Sequence, residues 1–137
     1  MSIRPRFAQG ILAGTKTVEL RRRAPRLEPG DLVVVYETSP TKAIVGWATV
    51  DAIETAPSAA LWGRVRGHAG VSRREFNAYF AGAATATAIH LSDAVALATP
   101  IVLDAIRTRW PWLRPPQSYR YVRVAQSRAV IKTLAPV

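Results

Sequence analysis

Gly10-Ile11-Leu12-Ala13-Gly14-Thr15-Lys16-Thr17-Val18-Glu19-Leu20-Arg21-Arg22-Arg23 is the stretch whose reading decides the rest of the chain. Its core has the pattern Gly14-x-Lys16-x-x-Glu19-x-Arg21. If Thr17 to Arg21 is a strand, side chains alternate between its faces, so Thr17, Glu19 and Arg21 share one and Val18 and Leu20 the other. Val18 and Leu20 then face a core, with Glu19 and Arg21 on the polar side. Lys16 precedes the strand and reaches over that side from a glycine turn. Lysine and arginine donate while glutamate accepts, so such a cluster can hold a phosphate, another anion or the edge of a nucleobase. The alternative is a structural ion network that pins a helix to a strand.

Upstream, Pro5 suits the first turn of a helix, where its missing N–H costs nothing. Phe7, Ile11 and Leu12 make one apolar face, and Gly14 is a C-terminal stop. A helix over Arg4 to Ala13 follows, preceded by a short strand at Ile3. Downstream, Pro25, Pro29 and Gly30 mark a loop. Leu32 to Glu37 reads as a Val-rich strand buried on both faces. Ser39-Pro40 is a turn, and Ala43 to Thr55 a long strand or a strand with a bulge at Gly46. Ser58 is expected to cap a helix over Ala59 to Arg66. Ser72 and Glu75 form a capping box for a second one ending near Phe80. A strand is expected at Thr85 to Ser92, an extended segment containing Pro100 at Leu97 to Val102, a helix at Leu103 to Arg109 and a last strand at Tyr119 to Val124. Trp47 and the Trp110-Pro111-Trp112 segment are read as core or plug aromatics, with base stacking as the alternative.

These segments resemble the ASCH domain family, a branch of the PUA-like β-barrels. The Gly-Lys-Glu-Arg motif carries the resemblance, together with Ser2-Ile3-Arg4-Pro5, Gly30-Asp31-Leu32-Val33-Val34-Val35-Tyr36, Ser39 to Gly46, and Pro115-Pro116-Gln117-Ser118-Tyr119-Arg120-Tyr121. It implies a mixed α/β (α+β) fold: a small barrel of about five or six strands, edges paired by closure, with short peripheral helices. The domain is placed at residues 1–124 and a C-terminal tail at 125–137.

Charge points to the partner. The 137 residues carry 19 Lys and Arg against 9 Asp and Glu, a net charge of +10. Three of the nineteen are lysines and sixteen are arginines. Arginine favours planar, forked contacts to phosphate and stacking on bases, and a strong positive field attracts polyanions. Arginine- and alanine-rich composition also reflects coding bias, a bland source for part of this charge. There is no cysteine, which removes disulfides, thiol catalysis and cysteine-bound zinc. His68 and His90 stand without a ligand pattern, so no metal and no cofactor is expected. No stretch approaches the ~18 apolar residues of a membrane span, nor is there a signal-peptide run, so a cytoplasmic location is expected.

Two functions follow. The first is a nucleic-acid-binding module, for RNA above all, with DNA or a modified or exposed base as further partners. Its expected contacts are Lys16, Glu19, Arg21, Arg22, Arg23, Lys42, Arg64, Arg66 and Tyr119. Arg73 and Arg74 join Arg64 and Arg66 as a second basic wall or a solvated face. The second function is a small hydrolase, with Lys16 and Glu19 catalytic. The resemblance implies two such branches, an N4-acetylcytidine amidohydrolase and a ribonuclease-like member. In the amidohydrolase branch a lysine, a threonine and a glutamate act. Lys16 matches the lysine, Glu19 stands where the threonine belongs, and His68, Ala69 and Gly70 stand where the glutamate belongs.

Overall fold

The computed structural model describes residues 1–115. In chain order these form β1 (Ser2–Ile3), α1 (Pro5–Ala13), β2 (Val18–Arg21), β3 (Leu32–Glu37), β4 (Ala43–Ala56), α2 (Ser58–Val65), α3 (Arg73–Tyr79), β5 (Ala86–Val102) and α4 (Leu103–Arg109). The five strands make one mixed sheet in the order β1-β3-β4-β5-β2. β1 runs parallel to β3, and the other pairs are antiparallel. The fold is therefore α+β, with four short helices around a five-stranded sheet.

The expected barrel is not closed among the described residues. β1 and β2 are the two edges of the sheet and do not pair with one another. A strand of two residues and one of four offer little backbone to each other. A side chain spans the seam instead: Arg21 donates from a terminal nitrogen to the Ser2 carbonyl at 3.2 Å. The expected last strand, Tyr119 to Val124, lies outside the described residues, as does the 125–137 tail.

Local signals explain the elements. Arg4 caps α1 in extended conformation, Pro5 opens it, and Gly14 ends it at φ +80°. Ser72 and Glu75 form the reciprocal capping box at α3, with bonds of 3.2 and 3.1 Å. α2 begins at Ser58 without a side-chain cap, its N-cap being Pro57, so the capping role expected of Ser58 is absent. β3 alternates instead of being buried on both faces: Val33, Val35 and Glu37 point in, while Leu32 is exposed and Tyr36 half-buried. α1 covers only one side of it.

β4 and β5 are the long pair. The two extended segments expected at Thr85 to Ser92 and Leu97 to Val102 join into one 17-residue strand. It passes through Asp93 at φ +49°, beside register shifts against β4. Pro100 sits where β5 has β4 on one side and no longer β2 on the other, so its missing N–H is tolerated. Gly46 lies at such a shift. A Cβ there would stand 2.2 Å from the Val95 carbonyl oxygen and 2.7 Å from a methyl of Leu12. Only glycine allows β4 to approach β5 and α1 this closely.

Three apolar clusters result. Ile3, Ala8, Ile11, Val35 and Val50 lie under α1. Val18, Leu20, Leu61, Val65, Phe76 and Phe80 join β2 to α2 and α3. Ile44, Ile106 and Trp110 seat α4 against β4. Trp110 is buried here as a plug.

Candidate nucleic-acid interface

The Lys16–Glu19–Arg21 cluster forms, but it points inward. Lys16 is 3% exposed and Glu19 6%. Both faces of β2 are therefore covered: one by α2 and α3, the other by α1 and the 68–70 loop. Backbone bonds fix this arrangement. Thr17 and Val18 donate to the His68 carbonyl at 2.9 and 3.1 Å, and Leu91 donates to the Thr17 carbonyl at 2.8 Å. Two glycines make room for the lysine. A Cβ on Gly10 would lie 3.1 Å from the Lys16 Cβ, and Gly70, at φ +69°, packs on its side-chain carbons.

Every charge in the cluster has a partner. Lys16 Nζ donates to the Ala69 carbonyl at 2.5 Å, lies 3.8 Å from Glu19 Oε1, and sits 4.8 Å above the Phe7 ring. Glu19 Oε1 accepts from the Leu20 N–H at 3.0 Å, and Oε2 is 3.7 Å from an Arg21 nitrogen. Burial lowers the Lys16 pKa below the ordinary lysine value; Glu19 opposes this shift, and Arg21 and Arg6 add to it. The amidohydrolase-like arrangement is met only in outline. The 68–70 loop does come beside Lys16, but it presents the Ala69 carbonyl rather than a carboxylate.

The other expected contacts scatter. Arg22 donates to the carbonyls of Tyr79 and Ala81 at 2.7 and 3.1 Å, closing the C-terminal end of α3. Arg23 is exposed. Arg64 pairs with Glu54 at 3.3 Å, whose other oxygen is 2.9 Å from His90 Nε2. Arg66 is exposed at the end of α2. Tyr119 lies outside the described residues. Lys42 alone opens onto a large cleft.

That cleft has a volume of about 790 Å³ and lies between β3, the β3–β4 turn and α4. Tyr36, Lys42, Arg107 and Arg114 bring phenol and cations to its walls, with Ser2 and Ser39 as small polar groups. No carboxylate is among its described lining residues. Glu37, next to Tyr36, faces the other side of β3, is 5% exposed and accepts a hydrogen bond from the Thr41 hydroxyl. Lys42 is held at φ +50°, its carbonyl accepting from the Leu103 N–H at 3.0 Å. Burial raises the Tyr36 pKa, and Arg107 opposes the rise. The phenol, protonated at neutral pH even at its ordinary value of 10, is held so more firmly.

Tyr36, Arg107 and Arg114 were not legible as site residues. Arginines more than 60 positions away from the turn meet it only because α4 folds back over Ile44. The alternation of β3 was the available signal for Tyr36, since it separates Tyr36 from the inward Val35.

The family model for the ASCH domain matches residues 1–93. The chain belongs to the ASCH domain family. A relative from Zymomonas mobilis, an ASCH domain-containing ribonuclease, is 33% identical over 137 residues, covering all of this chain and 92% of the relative. The crystal structure of ASCH from Zymomonas mobilis superposes with a TM-score of 0.91 at 32% identity, covering 98% of this chain and 94% of that one. Structures of a tyrosine-to-phenylalanine and of a serine-to-alanine mutant of that ASCH protein each give a TM-score of 0.90 at 32% identity and the same 98% coverage of this chain. An ASCH domain thus accounts for most of the described elements. No helix among the described residues is long and apolar enough to cross a membrane.

Proposed function

We propose that this ASCH protein binds RNA in the Tyr36–Lys42–Arg107–Arg114 cleft and acts there as a ribonuclease. One observation carries the reading: three cations line a large open cleft with no carboxylate among its described lining residues, Arg107 having a long, exposed pairing with Asp104 at 3.7 Å. An excess of cations in a concave site focuses a positive potential and favours phosphate. The ribonuclease name of the relative that matches the whole chain supports RNA as the polymer.

The chemistry fits the groups present. Cleavage by the neighbouring 2′-hydroxyl forms a 2′-O–P bond and breaks the P–O5′ bond. The 2′-OH proton passes to solvent water, and the departing O5′ takes the Tyr36 phenol proton, which solvent then restores. Charge on the phosphorus oxygens peaks between the two events. Lys42 and Arg107 are placed to stabilise that charge, and Tyr36, a phenol protonated at neutral pH, is placed to give the proton to O5′. Lys16, Glu19 and Arg21 take a supporting role. They tie β2 to the 68–70 loop and, through the Ser2 carbonyl, to the β1 edge beside the cleft.

The test is titration and cleavage of labelled RNA. Lys42→Ala and Arg107→Gln should each reduce the salt slope of binding by about 0.7, the value for one single-strand phosphate contact. Tyr36→Phe should leave affinity within about twofold and slow cleavage by ~100-fold, as loss of a general acid does. Unaltered binding and cleavage in all three variants would remove the cleft from the function. Turnover of N4-acetylcytidine that disappears in Lys16→Ala would replace this reading with the amidohydrolase one.

A further inference from the structure

A second basic surface lies on α2 and α3. Arg66 ends α2, and Arg73 and Arg74 open α3, so three arginines flank the 67–72 loop at both ends. α2 and α3 pack together, with the Trp62 and Phe76 ring centroids 5.0 Å apart. Arg66, Arg73 and Arg74 are all exposed, and none forms an ion pair among the described residues. The acids that might offset them are spent elsewhere. Glu75 takes both terminal nitrogens of Arg6, at 2.5 and 3.1 Å, and that pairing lowers its pKa to about 2. Glu54 is shared by Arg64 and His90.

The patch also has a route to the cleft. Ser2 lines the cleft. Four residues later, Arg6 donates to the Gly70 carbonyl at 3.0 Å as well as to Glu75, the residue after Arg74. Four residues of chain span at most ~14 Å, and exposed Arg4 lies between. A polymer emerging over the Ser2 wall meets Arg4 and then the α2–α3 arginines.

We infer that Arg66, Arg73 and Arg74 form an accessory site for the phosphate backbone of the RNA that extends beyond the cleft. This site holds long substrates and reads no bases. The inference rests on the RNA reading of the cleft only for its choice of polymer. Arginines serve because their forked donors match phosphate. Length selectivity follows, since a short oligonucleotide fills the cleft without reaching the patch.

The experiment compares a labelled trinucleotide and a labelled unstructured 20-nucleotide RNA, each titrated between 50 and 200 mM salt. The proteins are the wild type, the triple variant Arg66→Gln/Arg73→Gln/Arg74→Gln, the corresponding triple Arg→Lys variant, and Lys42→Ala. Three lost contacts should flatten the salt slope for the long RNA by about 2. Between those salt concentrations the wild type should then lose roughly twentyfold more affinity than the Gln variant. Trinucleotide binding should not change, and the Lys variant should keep most of the slope. The inference is overturned if the Gln variant binds the long RNA like the wild type, or if it weakens both RNAs equally. If Lys42→Ala leaves trinucleotide binding intact while the Gln variant still loses the long RNA, the cleft reading fails and the arginine surface stands.

Discussion

The Lys16–Glu19–Arg21 cluster and the Tyr36–Lys42 cleft are both built from a lysine, an arginine and a β-strand, yet they differ in every physical respect. The first is nearly dry, and each charge faces an opposite charge, a carbonyl or a ring. The second is open, with no acid among its described lining residues and only a long, exposed pairing of Arg107 with Asp104 at 3.7 Å beside them. A buried, compensated charge has its binding capacity already used. An exposed, loosely compensated one keeps it for a ligand. The stronger sequence motif therefore marks the part of the molecule that holds the fold, while the weaker one, a lysine after an X-Pro turn, marks the part that meets solvent.

The largest effect should come from breaking the buried side of this contrast. Glu19→Ala leaves buried Lys16 and half-buried Arg21 without their carboxylate and should cost about 3–5 kcal/mol in urea denaturation, the usual penalty for orphaning a buried charge. A loss below ~1 kcal/mol would mean that the cluster is not coupled and that the two regions differ less than their burial suggests.

On the open side, stability and function should part company. Lys42 occupies the left-handed region at φ +50°, which costs a non-glycine residue about 1 kcal/mol. Lys42→Gly should leave the fold unchanged or up to ~1 kcal/mol more stable. RNA affinity should fall at the same time, with the salt slope reduced by about 0.7. A destabilised variant with full RNA affinity would reverse the roles assigned to the two regions.

The smallest effect is a pH dependence. Burial depresses the Lys16 pKa, so between its folded value and the ordinary 10.5 the unfolded chain binds more protons than the folded one. Lys16 therefore costs stability while protonated, and stability should rise with pH as that window is crossed. Denaturation midpoints measured as the pH is raised towards 10.5 should climb in the wild type and climb less in Lys16→Met. Tyr36 works in the opposite sense above pH 10, its raised pKa making the folded state the better proton binder there. Equal slopes in the wild type and Lys16→Met would show that the lysine is solvated in solution.

Much of this molecule was legible from local chemistry. Pro5 and Gly14 bound α1, Ser72 and Glu75 start α3, the Val-rich run is β3, and Gly46 falls at a register shift of β4. These features depend on neighbours within a few residues. β5 was read as two segments, Thr85 to Ser92 and Leu97 to Val102, and the long pairing with β4 carries one strand through Asp93 between them. The polar face of β2 was read as solvent-facing because its alternation is correct. What covers that face, Phe7 from α1 and the 68–70 loop, comes from elsewhere in the chain.

By itself, then, the sequence determined the elements, the ASCH family and the basic character of the surface. Dihedral preferences, caps, periodicity and charge count are properties of short stretches and of composition. Tertiary structure alone decided which cations are free. Whether a lysine meets RNA or a backbone carbonyl depends on what packs over it. Lys16 is closed in by residues more than 50 positions away, at Ala69, and Lys42 is left open beside Arg107. Desolvation is set by that three-dimensional neighbourhood, and no local pattern encodes it.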